Sequence, residues 1–124
     1  MTINHKFFLN LAFQIAERNL GKTGQNPSVG SIVVKNDTVI SSGVTSINGR
    51  PHAEFNALNK VKNTAGSTLY TTLEPCIHQG KTPPCVNIII KKKISKVFFG
   101  LEDPDLRTFK KAKKILSSKG IVTK

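Results

Sequence analysis

The run Val29-Gly30-Ser31-Ile32-Val33-Val34 is rich in β-branched residues, and Asn36-Asp37 supplies turn chemistry just before a second extended segment, Thr38-Val39-Ile40. Two such runs joined so tightly read as an antiparallel hairpin. The sheet that this hairpin begins should be covered by helix.

The flanking segments have the periodicity to do so. Phe7, Phe8, Leu11, Ala12, Ile15 and Ala16 recur at three-and-four spacing, one face of an amphipathic helix ending near Leu20-Gly21. Gly21 to Ser28 is glycine-rich and polar and reads as a loop. Ala53 to Val61 has helical composition, with Phe55, Ala57, Leu58 and Val61 able to share a buried side. Ser67 to Leu73 alternates like a strand, Glu74 to Thr82 is a loop, and Pro83-Pro84 opens a helix that Val86 to Ile90 continues. Lys96 to Leu101 is a further strand. Leu106, Phe109, Ala112, Ile115 and Leu116 mark a last helix that stops at Gly120, before a short strand at Ile121-Val122. A hairpin followed by strand and helix in alternation predicts a layered α/β fold with parallel crossovers in its second half. With 124 residues there is room for one domain, residues 1–124.

No apolar run approaches the ~18 to 20 residues that cross a bilayer, so no membrane insertion is expected. Asn10, Gln14, Glu17 and Arg18 break up the N-terminal segment that a secretory signal would need, and a cytoplasmic location is the expectation. Two cysteines in a reducing compartment favour metal binding or catalysis over a disulfide. The net charge of +12 raises the question of nucleic acid. Residues 91–124, however, hold eleven of the basic residues against three acidic ones, and the whole chain has 16 Lys but 3 Arg. Bidentate recognition of phosphates favours Arg, so a solvated lysine face is the preferred reading and nucleic acid is not the expected partner.

The chemistry lies in Pro51-His52-Ala53-Glu54 and Glu74-Pro75-Cys76, with Cys85 nine positions beyond Cys76. One imidazole and two thiolates suit a tetrahedral zinc ion, and a catalytic zinc keeps three protein ligands so that water takes the fourth place. Zinc lowers the pKa of such water to ~7. Glu54 is the candidate to accept that proton and deliver it to a leaving amine. On a regular helix, residues two apart point ~200° away from each other, so His52 and Glu54 can share a site only off a helix N-terminus. Cys85, opening the second helix, would approach from another such end, where thiolates are stabilised. A structural zinc closed by His78, or an ordinary histidine and two inert core cysteines, are the alternatives. His5 reads as a surface residue without a role.

His-x-Glu followed by Pro-Cys-x-x-Cys is the signature of zinc nucleobase deaminases. Here eight residues separate the cysteines. In this respect Thr71-Thr72-Leu73-Glu74-Pro75-Cys76-Ile77-His78-Gln79-Gly80-Lys81-Thr82-Pro83-Pro84-Cys85 resembles the deaminase domain of the bifunctional riboflavin-biosynthesis deaminase and reductase, within the cytidine deaminase-like superfamily. The resemblance extends to Asn26-Pro27-Ser28-Val29-Gly30 and to Glu102-Asp103-Pro104-Asp105. It implies a three-layer fold with a mixed sheet of about five strands flanked by helices. It also implies zinc as cofactor on His52, Cys76 and Cys85, Glu54 as proton shuttle, and substrate contacts from Asn26, His78 and Lys81.

The substrate so implied is a small molecule, a diaminopyrimidinone bearing a ribosylamino 5′-phosphate, hydrolysed at its 2-amino carbon with release of ammonia. Leu106-Arg107-Thr108-Phe109-Lys110-Lys111 replaces the usual glycine-rich stretch after Asp-Pro, which argues against substrate contacts from Asp105 or Arg107. The family normally continues into a reductase domain. Because the sequence ends at Lys124, deamination alone is expected, with a separate reductase enzyme in the pathway or a longer natural chain. A homo-oligomer is compatible with these features. Two other functions fit part of the pattern: a nucleobase or tRNA adenosine/cytidine deaminase, and a basic zinc-stabilised binding module with no enzymatic role for Glu54. The wide cysteine spacing, the single Tyr and the lack of Trp count against the first, since base-flipping sites lean on aromatic stacking.

Overall fold

The computed structural model describes residues 5–24, 28–73, 75, 85–101 and 111–123. Helix α1 (His5–Ala16) runs into a 3-10 turn at Glu17–Asn19. The hairpin follows as β1 (Gly30–Lys35) and β2 (Thr38–Val44). Then come α2 (Ala53–Asn59), β3 (Thr68–Leu73), α3 (Cys85–Lys91), β4 (Lys96–Leu101), α4 (Lys111–Ser118) and β5 (Val122–Thr123). The five-stranded sheet has the order β2-β1-β3-β4-β5. β1 pairs antiparallel with β2 and β3, whereas β3 with β4 and β4 with β5 are parallel. The mixed sheet and its two parallel crossovers agree with the sequence reading.

Asn36 and Asp37 both have positive φ, 53° and 61°, as the two central residues of a tight hairpin turn require, and the side chains of Asn and Asp tolerate that region best. Along the strands, alternation divides the core in two. Ile32, Val34 and Tyr70 point toward α1 and meet Phe8. Val33, Leu69 and Val97 point the other way, against Ala57 and Leu58 of α2, Val86 and Ile89 of α3 and Leu116 of α4. Helices therefore lie on both faces, giving three layers. Each buried Val, Leu, Ile or Phe among these contributes ~1.5–3 kcal/mol of transfer free energy.

Four differences from the sequence reading have physical causes. α1 stops at Ala16 and not near Leu20, the chain tightening into the 3-10 turn. β2 continues through Ser41-Ser42-Gly43, residues of weak strand propensity, because each pairs with β1. On α2 the inward face is Ala53, Glu54, Ala57 and Leu58, which turns Phe55 outward, 40% exposed, and Val61 lies beyond the helix. His5 is partly buried: its ring stacks on Phe98 with centroids 4.0 Å apart, and Nδ1 is hydrogen-bonded to the Tyr70 hydroxyl at 2.6 Å. The expected helix opening at Pro83-Pro84 and the contributions of Leu106 and Phe109 to the last helix fall outside the described residues. Among the described residues, no helix is long and apolar enough to cross a membrane.

Candidate metal centre

α3 follows β3, so its first residue stands beyond the C-terminal end of the parallel strands, where open α/β sheets hold their ligands. α2 packs beside α3 and presents its own N-terminus to the same region. His52 is the N-cap of α2, with extended backbone (φ −72°, ψ 164°). It therefore escapes the helical periodicity that would have turned it away from Glu54. Glu54 sits in the first turn of α2 and is buried, 4% exposed, where the helix N-terminus favours a negative charge.

Cys85 is the first residue of α3 and is likewise 4% exposed. Its Sγ lies 3.4 Å from His52 Nδ1. Zinc bonds of ~2.3 Å to sulfur and ~2.0–2.1 Å to nitrogen at a tetrahedral angle put two such ligands ~3.5 Å apart. The pair thus fits one zinc ion. On the other side of the ring, the Arg50 guanidinium stands 3.0 Å from Nε2 through Nη1. Since Arg can only donate, Nε2 accepts in this arrangement and Nδ1 carries the proton that faces the sulfur; a metal on Nδ1 would shift that proton to Nε2 and turn Nε2 from the guanidinium to an acceptor.

Of the residues singled out from sequence, His52 and Cys85 are brought together, and Glu54 is buried at the same helix end. Cys76, Asn26, His78 and Lys81, like Asp105 and Arg107, lie outside the described residues. Among the described residues no three His, Cys, Asp or Glu side chains form a group able to hold a metal. Two neighbours were not singled out. Arg50 touches the imidazole, and Asn56 Nδ2 donates to the Val44 carbonyl at 2.7 Å, to Ser46 Oγ at 2.9 Å and to the Pro51 carbonyl at 3.3 Å. The charge of Arg50 two places before His52 is a weak signal in sequence; for Asn56 there is none.

Residues 2–101 match the model of the cytidine and deoxycytidylate deaminase zinc-binding region. The chain belongs to this deaminase family. A relative within it, riboflavin biosynthesis protein RibD of Bacillus amyloliquefaciens, is 41% identical over 120 residues, 96% of this chain and 32% of the relative. Among solved structures, RibD of Acinetobacter baumannii superposes with a TM-score of 0.92 at 37% identity, covering 97% of this chain and 34% of that one. A Thermotoga maritima diaminohydroxyphosphoribosylaminopyrimidine deaminase/5-amino-6-(5-phosphoribosylamino)uracil reductase gives a TM-score of 0.88 at 35% identity, covering 96% and 35%. The chain thus spans about a third of the length of these relatives. These likenesses confirm the cytidine deaminase-like α/β fold expected from the sequence.

Proposed function

We propose that residues 1–124 form a zinc-dependent deaminase domain that hydrolyses the 2-amino group of a diaminopyrimidinone ribosylamino 5′-phosphate, giving the aminouracil and ammonia. One observation carries this reading: His52 Nδ1 faces Cys85 Sγ at 3.4 Å across two helix N-termini. The likeness to RibD proteins supports the substrate, as does the eight-residue cysteine spacing.

His52, Cys85 and Cys76 would hold the metal, which when bound supplies Lewis acidity that makes hydroxide available near neutral pH. Glu54 Oε takes the proton from the attacking water and releases it to the departing nitrogen, so that the carbon–nitrogen bond breaks as ammonia forms. Its burial keeps bulk water from competing for that proton. Lys81 supplies a cation for the phosphate, and Asn26 and His78 orient the ring.

The test is to incubate the zinc-loaded chain with the diaminopyrimidinone phosphate and follow ammonia, with Glu54→Gln as the control. Turnover lost in the variant, at unchanged zinc content, supports the assignment. Turnover of tRNA adenosine or cytidine and none of the phosphate would assign a nucleic-acid deaminase instead. Function untouched by Glu54→Gln would mean a binding module.

A further inference from the structure

The site depends on where α2 begins, and α2 is only seven residues long. A helix of under two turns has little stability of its own, so its position must come from tertiary contacts. Those contacts run along β2. Ser41 Oγ donates to the Ala57 carbonyl at 2.6 Å, Lys60 Nζ donates to the Ser42 carbonyl at 2.7 Å, and Asn56 Nδ2 donates to the Val44 carbonyl at 2.7 Å. Gly43 lacks the side chain that would keep the helix off the strand.

Asn56 differs from the other two. Its nitrogen also reaches Ser46 Oγ at 2.9 Å and the Pro51 carbonyl at 3.3 Å, while its backbone N–H donates to the His52 carbonyl at 3.0 Å. One residue thus binds the end of β2 and both sides of the connection that carries Arg50, Pro51 and His52. Ser46 N–H, donating to the Pro51 carbonyl at 3.1 Å, closes the same loop.

We propose that Asn56 is a positioning residue: it sets the path of the chain into α2 and thereby the placement of the His52 imidazole against Cys85 and of the Glu54 carboxylate. It touches no reacting atom. The inference rests on the reading of His52 and Cys85 as metal ligands.

The experiment compares Asn56→Asp, which keeps the shape but turns a donor toward three acceptors into a fourth acceptor, with Asn56→Ala and Lys60→Met. Lys60→Met removes a side-chain bond to the same strand, at the far end of α2. Each is measured for thermal midpoint, for cobalt affinity and thiolate-to-cobalt absorption, and for kcat and KM on the diaminopyrimidinone phosphate. Both Asn56 variants should bind cobalt at least tenfold more weakly with an altered spectrum, and lose at least tenfold in kcat with little change in KM. Lys60→Met should stay within twofold of wild type in all of these.

Cobalt binding and spectrum unchanged in a folded Asn56→Ala protein would overturn the proposal, and so would losses that merely track the thermal midpoint across all three variants. If wild type binds cobalt but turns over no phosphate substrate, the functional reading fails. The cobalt arm still decides the role of Asn56.

Discussion

A β-carbon at Gly43 would stand 2.5 Å from the Ala53 carbonyl oxygen and 2.5 Å from the Ala57 backbone nitrogen. Strand and helix touch there backbone to backbone, and neither neighbour is a side chain that can swing away. Gly43→Ala must therefore push α2 outward. The expected cost is ~1–3 kcal/mol, read from urea denaturation. His52 moves with the helix, so metal affinity should fall too; a variant as stable as wild type with unchanged zinc binding would contradict this packing.

Cys85→Ser and His52→Ala each remove one of the two facing side chains proposed as ligands. Zinc content, about one ion per chain in wild type on the proposed ligand set, should drop well below that after dialysis against a weak chelator. Glu54→Gln should keep its zinc, because the carboxylate is assigned to proton transfer, and lose ~10²–10⁴ in turnover. Elemental analysis beside ammonia release separates the two classes.

Tyr70 carries a pH dependence remote from the site. Burial, with a smaller contribution from the Asp37 charge, pushes its phenol up from 10.0 to about 12. The unfolded chain then loses the phenolic proton first as pH rises, while the folded protein still holds it. Stability from this group is fully present below pH 10.0 and declines between there and about 12. Urea midpoints across that interval should fall in wild type and fall less in Tyr70→Phe; equal slopes would remove Tyr70 as the cause.

His5→Ala withdraws the partner of the Tyr70 hydroxyl and the ring stacked on Phe98. A loss of ~1–3 kcal/mol is expected, chiefly from leaving a buried hydroxyl unsatisfied. The double variant with Tyr70→Phe should recover part of it, which a thermodynamic cycle on thermal midpoints would register.

Leu69 and Leu58 are fully buried between the sheet and its helices. Truncating either to Ala should cost ~2–5 kcal/mol, with zinc content per folded molecule unchanged, since the loss is of packing and not of ligands.

Much of the fold, and the residues that draw attention to the site, are legible in the sequence. The β-branched runs and the turn at Asn36-Asp37 announce the hairpin, and His52, Glu54 and Cys85 stand out because their chemistry is joint. What stayed hidden has a common cause. The His5 contact spans 65 residues. Phe55 looks apolar and inward until the phase of a seven-residue helix is known, and that phase depends on Gly43 and Asn56. Side-chain bonds to backbone carbonyls, such as those of Asn56, follow the path of a loop and leave no periodic trace.

β2 is an outermost strand of the sheet, yet the carbonyls of Ser42 and Val44 already hold donors from Lys60 and Asn56. An incoming extended peptide would find those acceptors engaged and a lysine charge standing in its way. The same two side chains that seat a helix thus also occupy, over this stretch, the acceptors that an added strand would have to pair with.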